Sequence, residues 1–389
     1  MIKIKKNPFR RKIKFNISLP VILSISAVII VSTLVFCTKI RLPEFAVNYS
    51  SYLVIPESIR YSLSKFRAEI IAKYGRAENQ NFIQNSGSIN DIIKNSYLQD
   101  ISETPADVTK TIKKLIAEFE KSEYTTDGTV IEADFSQKQA TDSYGNIFLR
   151  NITADTEVDI KSILAEDFSI PVTSFSEPLV LIYHTHSTES YYPLDNGTFS
   201  SAYPTRNDNK NANMIRVGEE ICNILEANGI VTIHDKKIHD KTYTGAYDKS
   251  REEVNRILEK YPSIIITLDI HRDAIYYDDT TRIKPTVEIN GKKAAQLMII
   301  SGAEGGNVTS FPEWRKNLQF ALNLQNYVNT DYPSLMKPVF FCNRKYNMDI
   351  TPYSLLIETG TDVNTIEEAV YSARLLATSL AKLIREKSE

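Results

Sequence analysis

Three apolar runs constrain this chain more than any other feature: residues 179–183, 264–268 and 354–357. Each is short, dominated by Ile, Leu and Val, and lacks the polar alternation of a half-wet strand. Such runs read as strands buried on both faces. Stretches of helical period lie between them. Residues 213–228 place Met214, Val217, Ile221 and Leu225 on one face, with Gly229 where a C-cap glycine belongs. Ser250 with Glu253 reads as a capping box ahead of Val254, Ile257 and Leu258. A helix is expected over 312–330, and a last one begins at Thr365 with Glu368 as its capping partner. Residues 230–234 and 339–341 read as further strands. Residues 287–300, with Asn290-Gly291 inside, read as a tight-turn hairpin. Strands alternating with helices in this way predict an α/β domain whose mostly parallel sheet is flanked by helices. The roughly 210 residues from 179 onward are ample for one such core.

All three runs end on groups able to do chemistry. The first ends in His184, His186 and Glu189, the second in Asp269 and His271, the third in Glu358. The chain has 5 histidines in all, so two within three positions call for an explanation. If the strands are parallel, their tips share one edge of the sheet, where ligand sites gather. Two imidazoles and a carboxylate form the donor set of a catalytic Zn2+, which keeps a fourth position for water. His186, Glu189 and His271 are the chosen ligands, and Glu358 is the group that takes and returns a proton. Asp269, two residues before His271, is placed to orient it. In a continuing strand His184 would share a face with His186, so either could ligate; the turn position favours His186. Arg272 could hold a substrate carboxylate or polarise a carbonyl, or could be a salt-bridged strand end. Tyr346 and Asn347 could line the same cleft. His234 and His239 read as structural, and Trp314 as core. Ser187 and Ser190 lie near histidines, but neither sits in a Gly-x-Ser-x-Gly elbow, and no phosphate-cradling glycine loop is present.

The amino end decides where this chemistry would act. Residues 1–14 carry seven Lys or Arg and no acid, and residues 15–37 carry no charge. That length suits a spanning helix, which needs about 20 mostly apolar residues. The run ends in bulky residues and Cys37, unlike the small-residue end of a cleaved signal peptide. The basic tail is therefore expected in the cytoplasm, with a single-pass anchor and everything after it outside the cell membrane. The net charge is -2, so without the tail the outer part is acidic, which argues against nucleic acid. Residues 38–125 read as a partly helical spacer, with helical period over 59–74 and 106–122, and residues 126–389 as the main domain. Cys222 and Cys342 are too sparse for a disulfide-stapled module and read as buried small hydrophobes.

The motifs Tyr183-His184-Thr185-His186-Ser187-Thr188-Glu189-Ser190-Tyr191, Arg216-Val217-Gly218 and Tyr247-Asp248-Lys249-Ser250-Arg251 are followed by Asp269-Ile270-His271-Arg272-Asp273-Ala274, Leu356-Ile357-Glu358-Thr359-Gly360, and then Asn364-Thr365 with Glu367. In this order they resemble the stage II sporulation protein P family over about residues 140–385. The resemblance implies an N-acetylmuramoyl-L-alanine amidase-like fold and a zinc-dependent cell-wall hydrolase at the sporulation septum during engulfment. Its substrate would be peptidoglycan, cut between N-acetylmuramic acid and L-alanine and also at peptide cross-links. It would work beside stage II sporulation protein D and stage II sporulation protein M. By strand alignment the family's two histidines and its carboxyl-terminal glutamate fall on His186, His271 and Glu358. The family's second ligand precedes a helix, where this chain offers Asp208; Glu189 is the alternative chosen here. Lys345 and Met348 stand where the family tends to carry Arg and Gln. Two other expectations stay open: a non-catalytic septal scaffold that binds peptidoglycan and recruits other hydrolases, and a zinc peptidase without amidase action.

Overall fold

The computed structural model describes residues 103–389. The basic tail, the apolar anchor and the spacer up to residue 102 lie outside the described residues, with the expected helix at 59–74. Among the described residues, no helix is long and apolar enough to cross a membrane. From the amino end, α1 (Ala106–Glu120) leads to β1 (Gly128–Ala133), β2 (Asp142–Tyr144), β3 (Ile147–Asn151) and a short α2 (Ile160–Ala165). Next come β4 (Val180–Tyr183), β5 (Thr198–Phe199), α3 (Met214–Ala227), β6 (Thr232–His234) and α4 (Ala246–Lys260). Then β7 (Ile266–Asp273), β8 (Tyr276–Asp278), β9 (Thr281–Ile289), β10 (Lys292–Ala295) and β11 (Leu297–Gly302) precede α5 (Trp314–Asp331). The chain ends with β12 (Val339–Cys342), β13 (Ser354–Thr361) and α6 (Ile366–Lys387).

The apolar runs form the centre of a sheet ordered β2-β3-β12-β11-β13-β7-β4-β6. β4 is buried along its length because both of its faces are covered. Val180 and Ile182 pack in the large core with Met214, Val217 and Ile221 of α3, while Leu181 and Tyr183 pack with Val254 and Ile257 of α4. β13, β7, β4 and β6 are mutually parallel. The sheet as a whole is mixed, which corrects the expectation of a mostly parallel one. The reason lies at Gln296. Asn290 and Gly291 both take left-handed angles (φ 52° and 76°), closing a tight turn between β9 and β10. The strand expected to continue to residue 300 then breaks at Gln296, whose buried amide bonds Asp134, Phe135 and Ser334. Beyond the break, β11 enters the main sheet antiparallel to β13. β10 stays in a second, smaller sheet ordered β10-β9-β1-β5, with β8 paired to β9.

Two other boundaries differ from expectation. α1, placed by sequence in the spacer, buries Val108 and Ile112 in the large core, and its Phe119 packs edge-on to Tyr192 and Tyr203. α4 starts at Ala246 after Gly245 rather than at Ser250, whose hydroxyl bonds Tyr247 O within the helix; Glu253 pairs with Lys237 and Arg256 instead of capping. The expected capping box at Thr365 and Glu368 is present, and Asn213 caps α3. Cys222 and Cys342 are free and buried.

The small sheet is latched to α6 by a buried ammonium. Lys284 on β9 is 1% exposed, with Nζ 2.8 Å from Glu368, 2.9 Å from Glu132 and 2.5 Å from Asp195. Removing one partner of a buried ion pair leaves a stranded charge, at a cost of about 3 kcal/mol or more. Lys284→Met, which keeps the methylene packing, is therefore expected to lower unfolding stability by about 3 kcal/mol in urea denaturation; an unchanged midpoint would show that the latch contributes nothing.

Candidate active site

The site is built by strand register. Tyr183 stands opposite Asp269, and His271 opposite Glu358, on adjacent parallel strands. Alternation along β7 puts Ile266, Leu268 and Ile270 in the large core, which leaves Asp269 and His271 on the face covered by α4. β4 ends at Tyr183, and the turn that follows decides the fate of the two histidines. His184 keeps the strand's alternation and points to the α3 side. There Nδ1 lies 3.0 Å from Ile270 O and Nε2 lies 2.9 Å from His234 Nε2, while His234 Nδ1 meets Glu219 at 3.1 Å. Gly218 makes the room: a Cβ there would stand 2.6 Å from His184 Nε2. The turn carries His186 to the other face, beside His271, with ring centroids 5.4 Å apart. His184 and His186 thus do not share a face, because the strand does not continue.

Glu189 closes the group. Its Oε2 is 3.4 Å from His271 Nδ1 and accepts the Arg272 backbone N–H at 3.3 Å; its Oε1 accepts from Arg206 at 3.2 Å. Burial pushes its carboxyl up, but the adjacent His271, Arg272 and His186 outweigh it and hold the pKa at about 2. Glu358, on the half-buried end of β13, goes the other way. Burial dominates, Asp273 and Glu189 add to it, and the pKa rises to about 8 although His271 pulls it down. Asp269 is fully buried, with Oδ1 2.8 Å from His271 Nε2. That approach lies off the line of a hydrogen bond, so it is a close electrostatic contact. Asp240 stands in a similar relation to His186, 3.9 Å from Nδ1.

Arg272 does not reach into the cleft. Nε bonds Ser190 O at 2.9 Å, and the two terminal nitrogens bond Asp273 O at 3.2 Å and Thr205 O at 2.7 Å. It is a strut for the loops around Glu189, which corrects the expectation of a substrate-binding guanidinium. Asn347 is likewise structural, bonding Tyr247 O and Ser250 Oγ at 3.0 Å each. Tyr346 does face the site region, its ring 5.3 Å from that of Tyr247. Sequence reasoning missed Arg206, Asp240, Tyr243 and Tyr247 as wall residues. Tyr243 lies flat on His186 (centroids 4.6 Å, planes 2° apart), and Arg206 covers Tyr243 at 5.1 Å. Arg206, Asp240 and Tyr243 come from loops with no pattern of their own, and Tyr247 lies in a motif that bears the family resemblance without a spacing that points to chemistry.

Orphaned atoms show how well this donor set suits a metal. His186 Nδ1 and Glu358 Oε2 are buried and make no hydrogen bond among the described residues, while His271 turns Nε2 to Asp269 and Nδ1 to Glu189. Such atoms are costly unless something else engages them. The 3.4 Å between His271 Nδ1 and Glu189 Oε2 is about the separation of two ligands on a tetrahedral zinc ion. The residues present therefore fit the group. Among the described residues, the cluster whose donors all lie within 4.8 Å of one another is elsewhere, at Glu132, Asp195 and Glu368, and Lys284 Nζ already fills it.

These features belong to a recognisable class. The family model described as Stage II sporulation protein P (SpoIIP) matches residues 75–381, and the chain belongs to that family. It is 32% identical over 217 residues to stage II sporulation protein P of Bacillus subtilis (strain 168), an alignment covering 53% of this chain and 51% of that protein. The chain thus spans about half the length of the curated relative it matches. Among solved structures, the CwlD amidase of Clostridioides difficile, in complex with the GerS lipoprotein, is 9% identical over 54% of this chain and 99% of its own (TM-score 0.33). The catalytic domain of CwlV, an N-acetylmuramoyl-L-alanine amidase from Bacillus (Paenibacillus) polymyxa, is 11% identical over 54% of this chain and 98% of its own (TM-score 0.33). Both likenesses are weak.

The raised Glu358 pKa has a consequence for stability. An acid whose pKa is about 8 when folded and 4.5 in the ordinary range binds more protons folded than unfolded between those values, so its contribution to stability falls as pH rises through them. In a chelator-treated sample, Glu358→Gln is expected to melt higher than the parent at pH 8, with the gap closing toward pH 5. A gap independent of pH in thermal melts would contradict the raised pKa.

Proposed function

We propose that the chain is a membrane-anchored, zinc-dependent peptidoglycan hydrolase that cleaves the N-acetylmuramoyl-L-alanine amide at the sporulation septum during engulfment. Family membership supports the sporulation setting, and the apolar run at 15–37 supports the anchor. The observation that carries the chemistry is the meeting of His186, Glu189, His271 and Glu358 from three chain segments at one sheet edge. A Zn2+ held by His186, Glu189 and His271 would supply Lewis acidity for the amide carbonyl and a water acidic enough to attack near neutral pH. Asp269 fixes the orientation of His271, and Glu189 is itself held by Arg206 and the Arg272 N–H. Glu358 takes the proton of the attacking water and returns it to the departing amine. A cation nearby would draw its raised pKa back toward neutrality, where a group can do both. Action on peptide cross-links, and work beside stage II sporulation proteins D and M, belong to the same proposal.

A second reading, a septal scaffold that binds peptidoglycan without cutting it, is favoured by one observation: donor atoms of His186, Glu189 and His271 do not all lie within 4.8 Å of one another. One experiment separates the two. The full chain is given sacculi, and the products are identified by mass spectrometry while bound zinc is counted by elemental analysis. Glu358→Gln is expected to keep its zinc and lose about 100-fold or more in rate. His186→Ala and His271→Ala lose both, whereas His184→Ala keeps its zinc. Free lactyl ends mean amidase and new peptide termini mean endopeptidase; no cleavage and no bound zinc would leave the scaffold.

A further inference from the structure

The wall of the site is aromatic, and one ring in it stands apart from the others. Tyr247, in the first turn of α4, is the only tyrosine among the described residues whose ring contacts both imidazoles. Its centroid is 5.7 Å from His186 at 82° and 6.4 Å from His271 at 10°. Of the two imidazoles Tyr243 touches only His186, and it is 66% exposed; Tyr346 touches neither. The hydroxyls of Tyr247, Tyr243 and Tyr346 make no hydrogen bond to any described residue. What sets Tyr247 apart is that its ring lies against both candidate ligands.

The backbone of Tyr247 is held by the same network that holds His271. Its carbonyl accepts from Ser250 Oγ at 3.1 Å and from Asn347 Nδ2 at 3.0 Å. Ser250 Oγ also meets Thr185 Oγ1 at 2.7 Å, and Thr185 donates to both oxygens of Asp269, at 2.8 and 2.6 Å. Asp269 in turn sets His271. The backbone of Tyr247 and the strand bearing His271 are therefore tied into one network, and ring contacts set the phenol beside both imidazoles, where a group able to meet developing charge would stand. A phenol of ordinary pKa about 10 is neutral at pH 7 and can donate.

We propose that Tyr247 is a catalytic hydrogen-bond donor to the carbonyl oxygen of the scissile amide, stabilising the negative charge that oxygen gains during attack. This role rests on the amidase reading of the site. In the step, the water oxygen bonds to the carbonyl carbon, the C=O π pair moves onto the oxygen, and Glu358 takes a water proton. On collapse the C=O bond re-forms, the C–N bond breaks, and Glu358 returns that proton to the leaving nitrogen; the other water hydrogen stays on the new carboxyl group. Tyr247 keeps its own proton throughout, so its oxygen is never a nucleophile or a base.

The test compares the zinc-loaded full chain with Tyr247→Phe and, as a control on exposed β2, Tyr144→Phe on peptidoglycan. Tyr247→Phe is expected to lower kcat about 100-fold, as loss of one oxyanion donor does, with KM within about twofold. Zinc content and melting temperature are expected to match the parent, and Tyr144→Phe to stay within about threefold. A phosphinate analogue of the tetrahedral species should bind Tyr247→Phe at least tenfold more weakly than the parent, a readout independent of turnover. A Tyr247→Phe variant that cuts as fast as an active parent overturns the role alone. One that loses zinc in proportion to activity also overturns it, since the ring would then be supporting the imidazoles. A parent that cuts no amide overturns the reaction and this role together.

Discussion

A carboxylate with no access to water must find its partners inside the protein, and Asp269 finds them at two strand tips. Thr185, in the turn after β4, donates both its backbone N–H and its hydroxyl to it. His271 lies against it two residues further along its own strand, and Ser250 links Thr185 to the start of α4. The two bonds from Thr185 are directional and the approach of His271 is a close electrostatic contact, so Asp269 ties the first strand tip to the second, and Ser250 carries the link on to the covering helix. An unsatisfied buried charge of this kind would be very costly. The geometry of the whole site depends on meeting that requirement.

With that frame in place, two carboxylates beside His271 are driven in opposite directions. Glu189 is surrounded by cations and donors and stays ionised; Glu358 is half-buried with one oxygen buried and unpartnered, and retains its proton well above the ordinary range. Pairs whose surroundings separate their pKa values in this way commonly divide their labour, one acting as fixed charge and the other as proton carrier. Environment alone makes the distinction, since both are glutamates, one in the turn after β4 and one within β13.

Much of this was legible beforehand, and the rest was hidden for identifiable reasons. Fully buried strands announce themselves through unbroken Ile, Leu and Val, so the strands bearing His271 and Glu358, and their common edge, could be read from the pattern. The Thr365–Glu368 box is local chemistry and was equally readable, whereas the similar Ser250–Glu253 pair falls inside α4 because the helix begins a turn earlier. Which face a residue adopts after a strand stops is not local, and so the pair His184 and His186 could not be separated until the turn was seen. The direction of β11 depended on a break at Gln296, whose cause is a set of hydrogen bonds to residues far along the chain. Arg272 looked like a cleft residue because sequence shows a charge but not the carbonyl oxygens waiting for it.

The flat contact between Tyr243 and His186 sets how firmly the wall of the site is held. The phenol covers one face of the imidazole, and the guanidinium of Arg206 lies over the phenol. Interactions of these two kinds are each worth on the order of 1 kcal/mol at an exposed position. A ring held by so little keeps its place most of the time, yet a modest competing contact is enough to turn it aside.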